Sequence, residues 1–135
     1  MAKVIIGIVL GALLGGFTGK FIIQRIEAKH RHTRSVMTLL SFHEGRLDEA
    51  AKAGRCADFA TEHLRLVALQ PEIALAFPKT YQQEADFRKK ADGLGTALQA
   101  VAPAAAAAST CPTAATGSTQ VGDTCEACHK VYNPD

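Results

Sequence analysis

Five consecutive residues near the carboxyl terminus, Cys125-Glu126-Ala127-Cys128-His129, carry the side chains best suited to chemistry. Two cysteines three residues apart on a helix share a face, so both thiols could form thioethers with the vinyl groups along one haem edge. His129 could then turn its imidazole to the iron as the proximal ligand. The spacing predicts one covalently attached haem c.

Two other kinds of site use the same C-x-x-C spacing. One is a redox dithiol, which usually begins a helix after a strand, and no βαβ pattern is visible. The other is a structural zinc site completed by Cys56 and Cys111, but such sites usually draw on a second closely spaced pair, and these two cysteines stand far apart. Haem attachment is therefore the favoured interpretation.

The composition limits what must position this motif. The chain has 135 residues, 47% of them hydrophobic, which is enough for a single domain. A net charge of +2 gives no argument for nucleic-acid binding. Aromatic residues make up only 6% and alanine is abundant, which favours a helical protein.

An apolar segment of about twenty residues, Val4 to Ile23, is long enough to cross a bilayer as a helix. We expect residues 1–24 to form a transmembrane anchor and residues 25–135 to form the haem domain. The alternative is a cleaved signal peptide, but no A-x-A-type cleavage site follows the apolar segment. The basic residues after the segment would place the domain in the cytoplasm. Haem c is attached beyond the cytoplasmic membrane, so we expect the domain on the periplasmic side.

Within the apolar segment, a glycine recurs at every fourth position, at Gly7, Gly11, Gly15 and Gly19. This spacing places all four on one helix face and lets a second helix approach closely in lipid. The pattern predicts a partner helix, either from a second copy or from a larger membrane complex. Glycine is also common in such segments without any partner.

Four helices are predicted after the anchor: Arg25 to Lys52, Ala57 to Leu69 ending near Pro71, Lys79 to Val101, and about Thr113 to Val131. The third has the clearest apolar stripe, which consists of Phe87, Ala91, Leu94, Leu98 and Val101. Residues 102–118 form an alanine-rich, low-complexity connection. Short connections between four helices predict an all-α, antiparallel four-helix bundle.

A C-x-x-C-H motif near the end of a four-helix chain resembles class II cytochrome c, the family of cytochrome c-prime and its low-spin relatives. The resemblance covers about Glu27 to Pro134. It implies an antiparallel bundle with the haem between the first and last helices. The sequence shows no carboxylate pair or nucleophile arrangement beside the haem motif, so electron transfer without substrate turnover, and no enzymatic activity, is expected.

The resemblance also suggests the remaining site residues. Met37, with His43 and Leu47 after it, resembles the pattern in which low-spin members place the sixth iron ligand, so Met37 is the expected distal ligand. Tyr81 and Phe87 fall where aromatic residues often line the haem pocket. In c-prime proteins the methionine position holds a non-ligating residue, so a five-coordinate, nitric oxide-binding protein is the alternative function.

Bundle topology relates the two solitary cysteines. Cys56 lies at the connection of the first two helices and Cys111 at the connection of the last two, and these connections share one end of an up-down-up-down bundle. In an oxidising compartment we expect a disulfide between them. The full expectation is a membrane-anchored periplasmic carrier that exchanges electrons with redox partner proteins, either alone or as a subunit of a respiratory or photosynthetic complex.

Overall fold

The computed structural model describes residues 31–107, 111 and 114–132, and these residues form helices joined by short turns, with no strand among them. The helices are α1 (residues 31–52), α2 (Cys56–Ala76), α3 (Lys79–Gln83), α4 (Ala85–Ala106) and α5 (Ala114–His129). The predicted all-α class is confirmed for this part of the chain. None of these helices is both long and apolar enough to cross a bilayer. The segment Val4 to Ile23 and its glycine stripe lie outside the described residues.

Gly54 turns the chain between α1 and α2. Its φ of +65° is left-handed, a conformation that glycine adopts at little cost and that commonly ends helices. The Arg55 amide closes the turn by donating to the Ala50 carbonyl at 2.9 Å. At the opposite end of the pair, the Thr33 hydroxyl donates to the Ala76 carbonyl at 2.6 Å. The start of α1 therefore lies against the end of α2, and the two helices are antiparallel.

The prediction that the second helix ends at Leu69 is wrong, because α2 continues through Pro71 to Ala76. A proline inside a helix removes the amide that would bond to the carbonyl four residues earlier, here that of Val67. Both Pro71 and Val67 are exposed, so water can satisfy this carbonyl. Exposure of the proline face therefore reduces the cost of continuing the helix.

The third predicted helix, Lys79 to Val101, is divided in the structure. Glu84 is extended, with φ −74° and ψ 126°, and separates the short α3 from α4. Helix α4 then runs past Val101 to Ala106 and includes Pro103, which is exposed like Pro71. Much of the alanine-rich connection is thus helical, as the propensity of alanine favours.

The apolar stripe of α4 forms the centre of the core, as predicted: Phe87, Ala91, Leu94, Leu98 and Val101 are all buried. Helix α4 packs against both α2 and α5. The approach of α5 depends on a glycine, because a Cβ added at Gly117 would lie 2.8 Å from Val101 Cγ2. The α2–α4 interface buries His63, whose Nε2 lies 2.9 Å from the Leu98 carbonyl oxygen.

Candidate haem site

A cavity of about 290 Å³ lies between α1, α4 and α5 at the end of the bundle where α1 begins. Its walls are mainly apolar, with polar side chains at the rim. The lining residues are Met37, Leu40, Ser41 and Glu44 of α1; Ile73 and Phe77 at the end of α2; Lys90, Ala91 and Leu94 of α4; and Thr124, Cys125, Glu126, Cys128 and His129 of α5.

The last turn of α5 presents the whole C-x-x-C-H motif to this cavity. Cys125 and Cys128 are half-buried and pack against the core, and His129 is exposed at the final residue of the helix. The chain then turns away, with the amides of Val131 and Tyr132 both donating to the Cys128 carbonyl at 3.1 and 2.9 Å. The turn leaves the imidazole of His129 at the cavity edge.

Met37 lines the same cavity from α1, so the structure brings the predicted distal ligand and the attachment motif together. Its side chain is half-buried and packs against the core. Leu40 lies three residues after Met37 and Glu44 four residues after Leu40, which places all three on one helix face. Glu44 was not among the predicted site residues, although its spacing of seven residues from Met37 could have identified it.

The cavity keeps its thiols neutral at physiological pH. Burial, with the nearby charge of Glu44, raises the pKa of Cys125 to about 11. Burial also raises the pKa of Cys128, although the ammonium of Lys90 opposes the shift. The pKa of Glu44 is itself raised by burial and by the neighbouring carboxylate of Asp48. Burial is thus the main reason that the charged forms of Cys125, Cys128 and Glu44 are disfavoured.

This donor set fits a haem. Two thiols and an imidazole lie on one wall, a soft thioether lies on another, and apolar side chains line the cavity between them. The zinc alternative is not assembled, because no group of three or more His, Cys, Asp or Glu side chains placed to hold a metal ion occurs within the described part of the chain.

The aromatic residues differ from expectation in their placement. Neither Tyr81 nor Phe87 lines the cavity; Phe77 does. Phe87 is buried behind Phe77, with ring centroids 4.9 Å apart, and Tyr81 and Phe87 both pack on Tyr132 at 5.4 and 5.2 Å. The break at Glu84 gives α3 its own direction, so Tyr81 does not continue the face of α4. These rings support the cavity wall from behind.

Tyr132, three residues after the C-x-x-C-H motif, connects this end of the chain to the α3–α4 junction by hydrogen bonds. It is buried, and its hydroxyl lies 2.9 Å from Glu84 Oε2 and 3.2 Å from Asp86 Oδ2. Burial raises the pKa of Tyr132 and the two carboxylates raise it further, so the phenol stays protonated and acts as a donor. Sequence analysis did not single out this residue.

His43 does not line the cavity and instead contacts a polar cluster around Glu62, between α1 and α2. Its Nδ1 lies 2.7 Å from Oε2 of the buried Glu62, and Glu62 Oε1 accepts from Arg46 Nε at 3.0 Å and from Arg65 Nη1 at 2.9 Å. Burial alone would raise the pKa of Glu62, but these donors outweigh it and the pKa lies below its usual range. The cluster ties α1 to α2.

Cys56 and Cys111 meet at the end of the bundle opposite the cavity. Their Sγ atoms are 2.11 Å apart and their Cα atoms 5.7 Å apart. The pairing joins the start of α2 to the segment before α5. Oxidation of this pair in the cell stays a prediction, tested below by alkylation.

Comparison with known proteins is consistent with this site. The family model described as Cytochrome C' matches residues 46–133, about two thirds of the chain, including the whole C-x-x-C-H motif. Met37 and His43 lie outside the matched range. No curated protein matches the chain. By the family match, the chain belongs to the cytochrome c-prime family and is a class II c-type cytochrome with covalently attached haem c.

Proposed function

We propose that this cytochrome is a one-electron carrier whose haem iron is held by His129 and Met37. The observation that supports the proposal is the presence of Met37 in the same cavity as Cys125, Cys128 and His129. When bound, the haem supplies an iron centre that gains and loses one electron. The protein supplies two anchoring thiols, two axial ligands and an apolar enclosure, so no step of substrate turnover is part of the proposal.

The choice of Met37 follows from ligand chemistry. A thioether is a soft ligand that suits haem iron and raises its reduction potential. A methionine in the sixth position also fills the site at which a gas would bind. Met37 is the one thioether among the described residues that line the cavity, and its neighbours Leu40, Ile73 and Leu94 carry no donor atom.

Carbon monoxide binding by the reduced full-length holoprotein tests this ligation. The wild type should be low-spin and should resist carbon monoxide at neutral pH, whereas Met37→Ala should become five-coordinate, bind it readily and have a lower midpoint potential. Leu40→Ala is the matched control, because it enlarges the same cavity without removing a donor. If the wild type binds carbon monoxide as readily as Met37→Ala, Met37 is not a ligand.

That result would favour the second candidate, a five-coordinate gas-binding protein. Two observations support it: the family match is to cytochrome c-prime, and the wall around Met37 is apolar enough to hold a small neutral gas. Nitric oxide titration of the reduced wild type would then give the affinity directly.

We also propose that Val4 to Ile23 anchors the carrier in the cytoplasmic membrane with the haem domain on the periplasmic side. Proteins of this family are usually periplasmic or extracellular, which supports the side but not the anchor. The proposed glycine face would pair with a second copy or with a helix of a larger complex. Resistance of the full chain to alkaline extraction tests the anchor, and sizing after mild detergent tests the partner.

A further inference from the structure

We infer that the end of the bundle at which the described part of α1 begins is a lipid-facing surface, so that the haem site is held against the membrane. This inference rests on the proposed anchor and adds an orientation to the proposed function. It depends on where α1 starts relative to the cavity, on the length of chain before it, and on the side chains at that end.

The haem site and the start of α1 occupy the same end of the bundle. Met37 is six residues after Arg31, which corresponds to about 9 Å along a helix. His129 lies at the last residue of α5 and lines the same cavity as Met37. An anchor attached to α1 therefore enters the protein beside the redox centre. The Cys56–Cys111 pair lies at the far end.

The chain before α1 leaves the bundle little freedom to move away from the bilayer. Only seven residues, 24–30, separate the proposed span from residue 31. Even fully extended, seven residues reach about 25 Å. That reach is shorter than α2 or α4, which have 21 and 22 residues, so the bundle stays within about one helix length of the headgroups.

The side chains at this end suit an anionic headgroup region. Arg31, Arg34 and Lys79 are exposed there, and none forms an ion pair with a carboxylate of the described residues. The bond from Thr33 to Ala76 places the first turn of α1 beside the last turn of α2, so these cations lie close together. Basic residues next to a membrane are attracted to anionic lipids.

Apolar side chains are interleaved with these cations. Leu75, one residue before Ala76, has 67% of its surface exposed, and Val131 and Tyr81 are also exposed at this end. Tyrosine and exposed aliphatic residues beside cations are typical of surfaces that rest in the membrane interface. We define the proximal surface as Arg31, Arg34, Leu75, Lys79, Tyr81 and Val131.

The experiment compares two leucines that the structure matches closely. Leu75 and Leu64 both point outward from α2 with 67% and 66% exposure, but Leu64 lies eleven residues, about 16 Å, farther from the proximal surface. Each is replaced in turn by the photo-crosslinker benzoylphenylalanine in the full-length holoprotein. The proteins are reconstituted in vesicles of phosphatidylcholine and phosphatidylglycerol in equal parts, irradiated, and analysed for lipid adducts by mass spectrometry.

We expect lipid adducts at position 75 and few at position 64. Lys79→Gln should lower the yield at position 75 about fivefold, because each cation near an anionic surface favours the docked orientation. Lys52→Gln, which removes an exposed cation at the far end, should leave the yield unchanged. Vesicles of phosphatidylcholine alone should lower the wild-type yield at position 75 at least as much as Lys79→Gln does, because they remove the attraction of all three cations.

Equal adduct yields at both positions would overturn the inference, because the bundle would then lie on its α2 side. Absence of adducts at both positions would also overturn it. Alkaline extraction of the same samples measures the anchor independently, and carbon monoxide binding measures Met37 ligation. Failure of the orientation is therefore distinguishable from failure of the proposed function.

Discussion

Replacing Glu62 by Gln should destabilise the bundle, and the size of the effect can be estimated from its contacts. The Glu62 side chain is only 3% exposed and accepts from His43, Arg46 and Arg65. The two arginines are about half exposed, so each ion pair contributes about 0.5 kcal/mol or less. The half-buried bond from His43 to a carboxylate contributes about 1.5 to 3 kcal/mol. The free energy of unfolding should therefore fall by about 1.5 to 4 kcal/mol.

Urea unfolding of the holoprotein, followed by circular dichroism, measures this loss. Glu49→Gln is the matched control, because it removes the same charge from an exposed position on α1 and should change stability by about 0.5 kcal/mol or less. Equal unfolding midpoints for the two variants would refute the assignment of the Glu62 cluster as a tie between α1 and α2.

The pH dependence gives an independent check with a defined sign. The pKa of Glu62 is lower in the folded protein than its ordinary value, so the folded state favours the ionised carboxylate. Its contribution is therefore fully present above the unfolded value, about 4.3, and is lost as the pH falls through the folded pKa. The stability gap between wild type and Glu62→Gln should be constant at mildly acidic pH and narrow only below about pH 4. A gap that widens on acidification would contradict the structure.

Three further predictions concern the packing and the ends of the bundle. Gly117→Ala should lower the free energy of unfolding by about 1 to 3 kcal/mol, because the added Cβ would push α5 away from α4. Gly45→Ala is the control: no atom lies within 4 Å of its added Cβ, so it should not lower stability. Equal urea midpoints for the two variants would contradict the close packing at Gly117. Replacing both Cys56 and Cys111 by Ser should lower the free energy of unfolding by about 4 kcal/mol, because the bridge would close a loop of 55 residues. Two alkylatable thiols in the native holoprotein would show that the bridge does not form. Tyr132→Phe should lower the midpoint of urea unfolding, because it removes the hydroxyl that lies within hydrogen-bond distance of Glu84 and Asp86. Because the folded pKa of Tyr132 is raised, wild type should lose stability above about pH 10, and the variant should lose less.

The sequence predicts the parts of this molecule that depend on periodicity and on local chemistry. The α4 stripe from Phe87 to Val101 is buried as its spacing indicates, and Cys125, Cys128 and His129 share one cavity. Met37 could be placed only through a family resemblance, because nothing local distinguishes a cavity methionine from a core one.

The parts that could not be predicted depend on solvent exposure and tertiary partners. Whether Pro71 ends a helix depends on whether water reaches the carbonyl it frees, which the local sequence does not state. The break at Glu84 coincides with a hydrogen bond to its carboxylate from Tyr132, which lies 48 residues away along the chain. The helix is interrupted at Glu84, Tyr81 packs on Tyr132, and Phe77 lines the cavity where Tyr81 was expected.

The positions of the four cysteines have a consequence for maturation. Cys125 lies eleven residues into α5, about 16 Å along the helix from its start near Cys111. A disulfide requires Cα atoms closer than about 7 Å, so neither haem thiol can reach Cys56 or Cys111 once α5 is docked. Folding alone therefore keeps the thiols proposed to bind haem apart from the Cys56–Cys111 pair. A disulfide that joins Cys125 or Cys128 to Cys56 or Cys111 could form only in a chain whose α5 has not yet docked on the bundle.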